Sequence, residues 1–238
     1  MIISNSRHFI FVHIHKTGGE SITATLEQDL DRSDLVLHHA FERAPRPVRQ
    51  RFAAYAALDK HSTALAIMDA VPDAQWRDSF KFSFVRHPIE RAISYYNYCA
   101  REAVHRTTIS TAHLRYYTRR GRRLDPKRWP SIVASLETSS FSEFIRHPAL
   151  GNDQGMRPQF DSICDRDGEV AMDFVGRVER FDEDFAKVRA TIGVSPRPAE
   201  RRNVTEERLV TRSMLSRDDV DYLEKIYEID FARLDYEP

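Results

Sequence analysis

The opening apolar segment His8–His15 (HFIFVHIH) is β-branched and aromatic on both faces, which predicts a buried parallel strand. It runs into Lys16-Thr17-Gly18-Gly19-Glu20-Ser21 and then into a helix-forming stretch, SITATLEQDL. Strand, glycine-bearing turn and helix in that order make the first half of a βαβ unit. Helical periodicity marks residues 46–58 and 63–71, on either side of Lys60-His61. Lys81–Val85 (KFSFV) is a second short buried strand, and Pro88 suits the first position of the long amphipathic helix that follows. Further on, Met172–Val178 reads as another strand and FDEDFAKVRATIG as a helix closed by Gly193. Pro196 and Pro198 mark a loop, and Leu215–Tyr227 is a last helix with Ser216 at its N-cap. Strands alternating with helices predict an α/β fold, a central parallel sheet flanked by helices.

The chain has 238 residues, enough for one sizeable core and short for two, so 1–238 reads as a single domain. Lys+Arg and Asp+Glu are 36 each, and a net charge of zero argues against nucleic acid as a partner. The mean hydropathy is −0.54, and no apolar run approaches the ~20 residues of a membrane span. The N-terminus, interrupted by His13 and Lys16, reads as neither a signal peptide nor an anchor. Cys99 and Cys164 are far apart, which excludes a disulfide framework and a cysteine-based zinc site. These features lead to the expectation of a soluble, cytoplasmic protein. Between 101 and 128 the composition turns basic, Arg119, Arg120, Arg122 and Arg123 among many. That segment is either a solvated surface or a patch for an anionic substrate or membrane surface.

Two junctions carry candidate chemistry. Backbone N–H groups at a glycine-rich turn opening a helix form an anion site, reinforced by the positive end of the helix dipole. Gly18 and Gly19 permit close approach, Thr17 and Ser21 add hydroxyls, and Lys16 adds a charge. The lysine precedes the glycines, the reverse of an ATP-binding GxxxxGK[ST] loop. The second junction is Phe84-Val85-Arg86-His87-Pro88, continuing through Arg91 to Ser94. An arginine at a strand's C-terminal edge stands where open α/β sheets bind ligands, and Ser94 two turns on offers a hydroxyl to the same phosphate. Arg86 and Arg91 read equally well as partners in structural ion pairs. His13 and His15 alternate on one strand face, but no carboxylate or thiolate completes a metal set, so no metal is expected.

Taken together, FVHIHKTGGESI and FSFVRHPIERAISYY resemble the 5′-phosphosulfate loop and the 3′-phosphate motif of PAPS-dependent sulfotransferases, carbohydrate-type family 2. The resemblance continues through Lys60-His61-Ser62-Thr63-Ala64, RPQFDSICDRDG, DFVGRVERFDEDF, Asn203 and IYEIDFARLDY, and is loose over 101–150. Two positions depart from it: Glu20, where Thr or Ser is more common, and His15, where Pro is common.

The resemblance implies a three-layer, P-loop-like domain that moves a sulfuryl group from PAPS (3′-phosphoadenosine 5′-phosphosulfate) to an acceptor hydroxyl and releases PAP. It places Lys16, Thr17, Gly18, Gly19, Glu20 and Ser21 around the 5′ end of the donor and Arg86 and Ser94 at the 3′-phosphate. Lys16 neutralises the leaving oxygen, without a metal. The acceptor's base is a His or Glu: His61 is the candidate, with His38, His39 and Glu20 as rivals. Gln159, Arg177 and Asn203 are structural or near the cofactor, and Arg177 with Glu179 reads as a buried pair as readily as a ligand contact. The acceptor is expected to be a glycan or glycolipid. Competing readings are a PAP-binding module without catalysis and a nucleotide kinase.

Overall fold

The computed structural model describes residues 1–102, 130–200 and 208–238. The expected basic segment at 101–128 and Asn203 therefore lie almost wholly outside the described residues. In chain order the strands are β1 (Ile2–Ser4), β2 (Phe9–Val12), β3 (Leu35–Val36), β4 (Phe80–Val85) and β5 (Phe174–Arg177). The helices are α1 (Gly19–Leu26), α2 (Arg46–Arg51), α3 (Ala64–Ala70), α4 (Asp73–Asp78), α5 (residues 88–102), α6 (Pro130–Glu137), α7 (Phe141–Ile145), α8 (Phe181–Thr191), α9 (Arg217–Ile226) and α10 (Glu228–Arg233). The chain divides into two compact units, Met1–His87 with Gln159–Val204, and Pro88–Pro158 with Thr205–Pro238.

The first unit holds a five-stranded sheet in the order β3-β1-β2-β4-β5. Its middle is parallel, β2 with β4 and β4 with β5, as expected. The sheet as a whole is mixed, which corrects the expectation of a parallel one. β1 runs antiparallel to both β2 and β3. The reason is local: β1 reaches β2 through a turn at residues 5–8, and so short a connection can join only antiparallel neighbours. β1 is three residues long and followed by polar ones, so its pattern was too brief to read as a strand.

β2 is shorter than its apolar run. The strand ends at Val12, and His13, Ile14 and His15 belong to the turn that follows. All four residues of β2 are buried, as a strand covered on both faces must be. On one face Phe9 and Phe11 join Phe82 and Phe84 of β4, and α1 and α8 cover them with Ile22, Leu26, Phe185 and Val188. On the other, Ile3 and Ile10 are equally inaccessible. Because Val12 pairs with Ser83 and Val85 with Arg177, β2, β4 and β5 end on the same edge of the sheet. The turn after β2, Arg86 after β4 and Arg177 closing β5 share that edge.

The second unit is helical among the described residues. α9 starts where expected: Ser216 Oγ accepts from the Asp219 N–H at 3.2 Å. α10 follows it directly and was not anticipated. Arg91 on α5 is 1% exposed. Among the described residues it makes no carboxylate pair; its guanidinium donates to the carbonyls of Gly155 at 2.7 Å and Arg157 at 2.6 Å and lies over the Tyr227 ring. Beside it the Tyr95 hydroxyl donates to Asp153 at 2.7 Å.

Arg91 thus closes the loop 153–158 onto α5. Arg91→Met removes two charge-assisted bonds and leaves two carbonyls unmet, at a cost of about 3 kcal/mol or more. For a chain of this size that is a fall in Tm of roughly 6–12 °C, readable by thermal unfolding. An unchanged Tm would return Arg91 to the list of candidate ligand contacts.

Candidate active site

The turn between β2 and α1 has no room for side chains at its glycines. Gly18 sits in the left-handed region with φ 79°, and a Cβ there would meet the Phe181 ring at 3.0 Å. A Cβ on Gly19 would fall 2.1 Å from the His13 imidazole. Lys16 is left-handed as well, with φ 66°, a costly conformation for a residue with a side chain. Thr17 is 1% exposed, and its hydroxyl donates to the Ile14 carbonyl at 3.1 Å. The Thr17 side chain therefore braces the turn from within instead of reaching outward as the sequence suggested. Ser21 is buried in the first turn of α1.

Gly18 as N-cap supplies no side chain to the first N–H groups of α1. A Ser, Thr or Asp at that position would satisfy one of them. Left-handed residues at 16 and 18 lead into a helix start that no side chain caps, a backbone arrangement of the kind that suits a phosphate or sulfate oxygen. Lys16 is half-buried.

His61 comes to this turn from the segment before α3. Its ring stacks on His15 with centroids 3.5 Å apart and planes 19° apart, and lies 4.7 Å from His13. Its Nδ1 is 2.8 Å from the His13 carbonyl oxygen. A carbonyl only accepts, so Nδ1 carries the hydrogen and the lone pair of the neutral ring is on Nε2. Burial, then the neighbouring His15, hold His61 well below the ordinary imidazole range, against the pull of that bond. Burial does the same to His13. His61 is thus a neutral imidazole at pH 7 with one tautomer imposed on it.

The rivals for the base are differently engaged or exposed. Glu20, in the first turn of α1, forms an ion pair with Lys60. Burial opposes its charge, but the hydrogen bond and charge of Lys60 prevail and hold the carboxyl below its usual range. His38 is exposed and bonds Glu27 at 2.8 Å, and His39 is exposed. The stacked rings of His15 and His61 present faces to each other. Among the described residues no three His, Cys, Asp or Glu side chains gather as a metal site.

At the neighbouring strand end, Gln159 is fully buried and grips Arg86 through the backbone, accepting from its N–H and donating to its carbonyl, each at 2.8 Å. Glu179 accepts from the His87 N–H at 2.7 Å, and Asp184 from that of Arg177 at 2.9 Å. Gln159 is thereby a positioning residue for Arg86, and Glu179 holds the backbone of His87. Ser94 lies half-buried on α5, in the second unit. Lys60 and Gln159 stood in matching segments without a role, because only their partners 40 and 73 positions away reveal what they do.

The contact between His13 and Gly19 is testable as a coupling. Gly19→Ala must displace the imidazole, an overpacking cost of roughly 1–3 kcal/mol. In a His13→Ala background the same change should cost little, so urea unfolding of the four proteins should show strong non-additivity. Additive costs would mean that the ring does not set the size of residue 19.

Comparison with curated proteins and with solved structures returned no match for the chain. No helix among the described residues is long and apolar enough to cross a membrane. The sequence profile described as the sulfotransferase family does match, over residues 1–237, and so takes in both units, the turn, His61 and Arg86. With essentially its whole length matched, this chain belongs to the sulfotransferase family, and sulfuryl transfer is its class of reaction.

Proposed function

We propose that the protein transfers the sulfuryl group of PAPS to a hydroxyl on a carbohydrate or glycolipid, releasing PAP. The observation that carries this reading is the turn after β2: left-handed backbone at Lys16 and Gly18, a helix start that no side chain caps, and a neutral His61 stacked on the residue before Lys16. The backbone of residues 16–21 takes the 5′ end of the donor, with the Thr17 side chain confined to bracing. Arg86, braced by Gln159, takes the 3′-phosphate. A cytoplasmic location and the P-loop-like character of the domain are parts of the same proposal.

In this reading the acceptor oxygen forms its bond to sulfur as the bond from sulfur to the 5′-phosphate oxygen breaks. The hydroxyl proton passes to Nε2 of His61, the nitrogen left with a lone pair by the His13 carbonyl. Negative charge grows on the departing phosphate oxygen, where the Lys16 ammonium and the N–H groups of the turn oppose it. The sulfuryl group carries less charge than a phosphoryl group, so one protein cation answers a need that phosphoryl transfer meets with magnesium. His61 then returns its proton readily, because burial and His15 disfavour the imidazolium.

PAP should raise the Tm by several degrees at concentrations where ATP with magnesium does not. Stabilisation by ATP with magnesium instead would favour a kinase. PAP binding without turnover on a panel of glycan and glycolipid acceptors would favour a binding module.

Lys16→Ala should lower kcat by about 10²–10³-fold, the scale of one lost transition-state donor, and weaken PAP binding far less. A variant that turns over at the normal rate would remove Lys16 from the chemistry.

A further inference from the structure

Glu20 places a negative charge in the first turn of α1, beside the N–H groups assigned above to an anion. An acidic side chain there complements the helix dipole as a bound anion does, so the two compete for the same field. The Glu20 carboxylate is about one-third exposed, at 35%, and the Lys60 side chain that holds it is more buried, at 18%. Lys60 is the residue next to His61, and both turn toward the same loop: one ring stacks on His15 while the ammonium meets Glu20. Of the charges that meet at the loop, those of Glu20 and Lys60 offset each other. An arriving phosphate meets a site weaker than its two lysines alone would make.

We propose that the Glu20–Lys60 pair sets the affinity of the turn for its anionic nucleotide, Glu20 lowering it and Lys60 limiting the penalty. The inference rests on the reading that this turn holds PAPS and PAP. It gives Glu20 a role opposite to that of a binding residue: the carboxylate makes no attraction to the nucleotide and hastens its departure. With Glu20 neutral, the Lys60 ammonium is released to the ligand's field. With Lys60 gone, the carboxylate faces the ligand uncompensated.

The test is calorimetric titration of PAP into wild type, Glu20→Gln, Lys60→Met and the double variant, at low and high salt, with adenosine as the uncharged control. Glu20→Gln should bind PAP on the order of tenfold more tightly at low salt and Lys60→Met on the order of tenfold more weakly. The double variant should return close to wild type, and all differences should shrink at high salt. Adenosine affinity should stay the same throughout, which a mere loosening of the fold would not allow. PAP affinity unchanged or weakened by Glu20→Gln overturns the inference and leaves the donor assignment intact. Wild type that fails to bind PAP at all overturns both.

Discussion

Space, more than charge, governs the turn after β2. Two consecutive glycines lie between the imidazole of His13 and the ring of Phe181, and neither position admits a Cβ without moving one of them. This crowding shapes the turn at residues 13–18 that leads from β2 to α1, a helix start that no side chain caps. It also seats His13 so that its carbonyl meets His61 and its ring fills the space that a side chain on residue 19 would need. The conformation of the turn and the tautomer of His61 are consequences of one packing arrangement. Phe181 opens α8 and rests on Phe84 and Phe185, so the turn is tied to the core beneath it.

Electrostatics then refine what packing has positioned. Three imidazoles and two lysines converge near the end of β2, which would be an unfavourable concentration of charge if all were protonated. Burial resolves the conflict by keeping His13 and His61 neutral, and Glu20 resolves it for Lys60. Lys16 is the cation of the turn itself, set on a left-handed residue that a glycine would occupy at less cost.

Bracing residues do comparable work at a distance from the chemistry. Gln159 satisfies both backbone groups of Arg86, just beyond the last hydrogen-bonded position of β4, and so fixes where that arginine leaves the sheet. In the second unit, Arg91 binds carbonyls of the loop 153–158 where an ion pair was equally plausible, because a planar guanidinium can serve two backbone oxygens at once.

By itself the sequence determined the alternation of strands and helices, the turn at 16–21, the junction at Arg86 and the family that these motifs resemble. Such features are written in periodicity, in glycine and proline, and in short spacings, all local in the chain. The tertiary structure alone decided that the sheet is mixed, since a three-residue strand has too little pattern to announce itself. It alone placed His61 on His15, turned Glu20 to Lys60, directed the Thr17 hydroxyl inward and closed Gln159 on Arg86. Apart from the inward turn of Thr17, each of those contacts joins residues 40 or more positions apart. Hydrogen bonds and ring stacking of that range depend on the path of the backbone between the partners, and no periodicity of either segment records it.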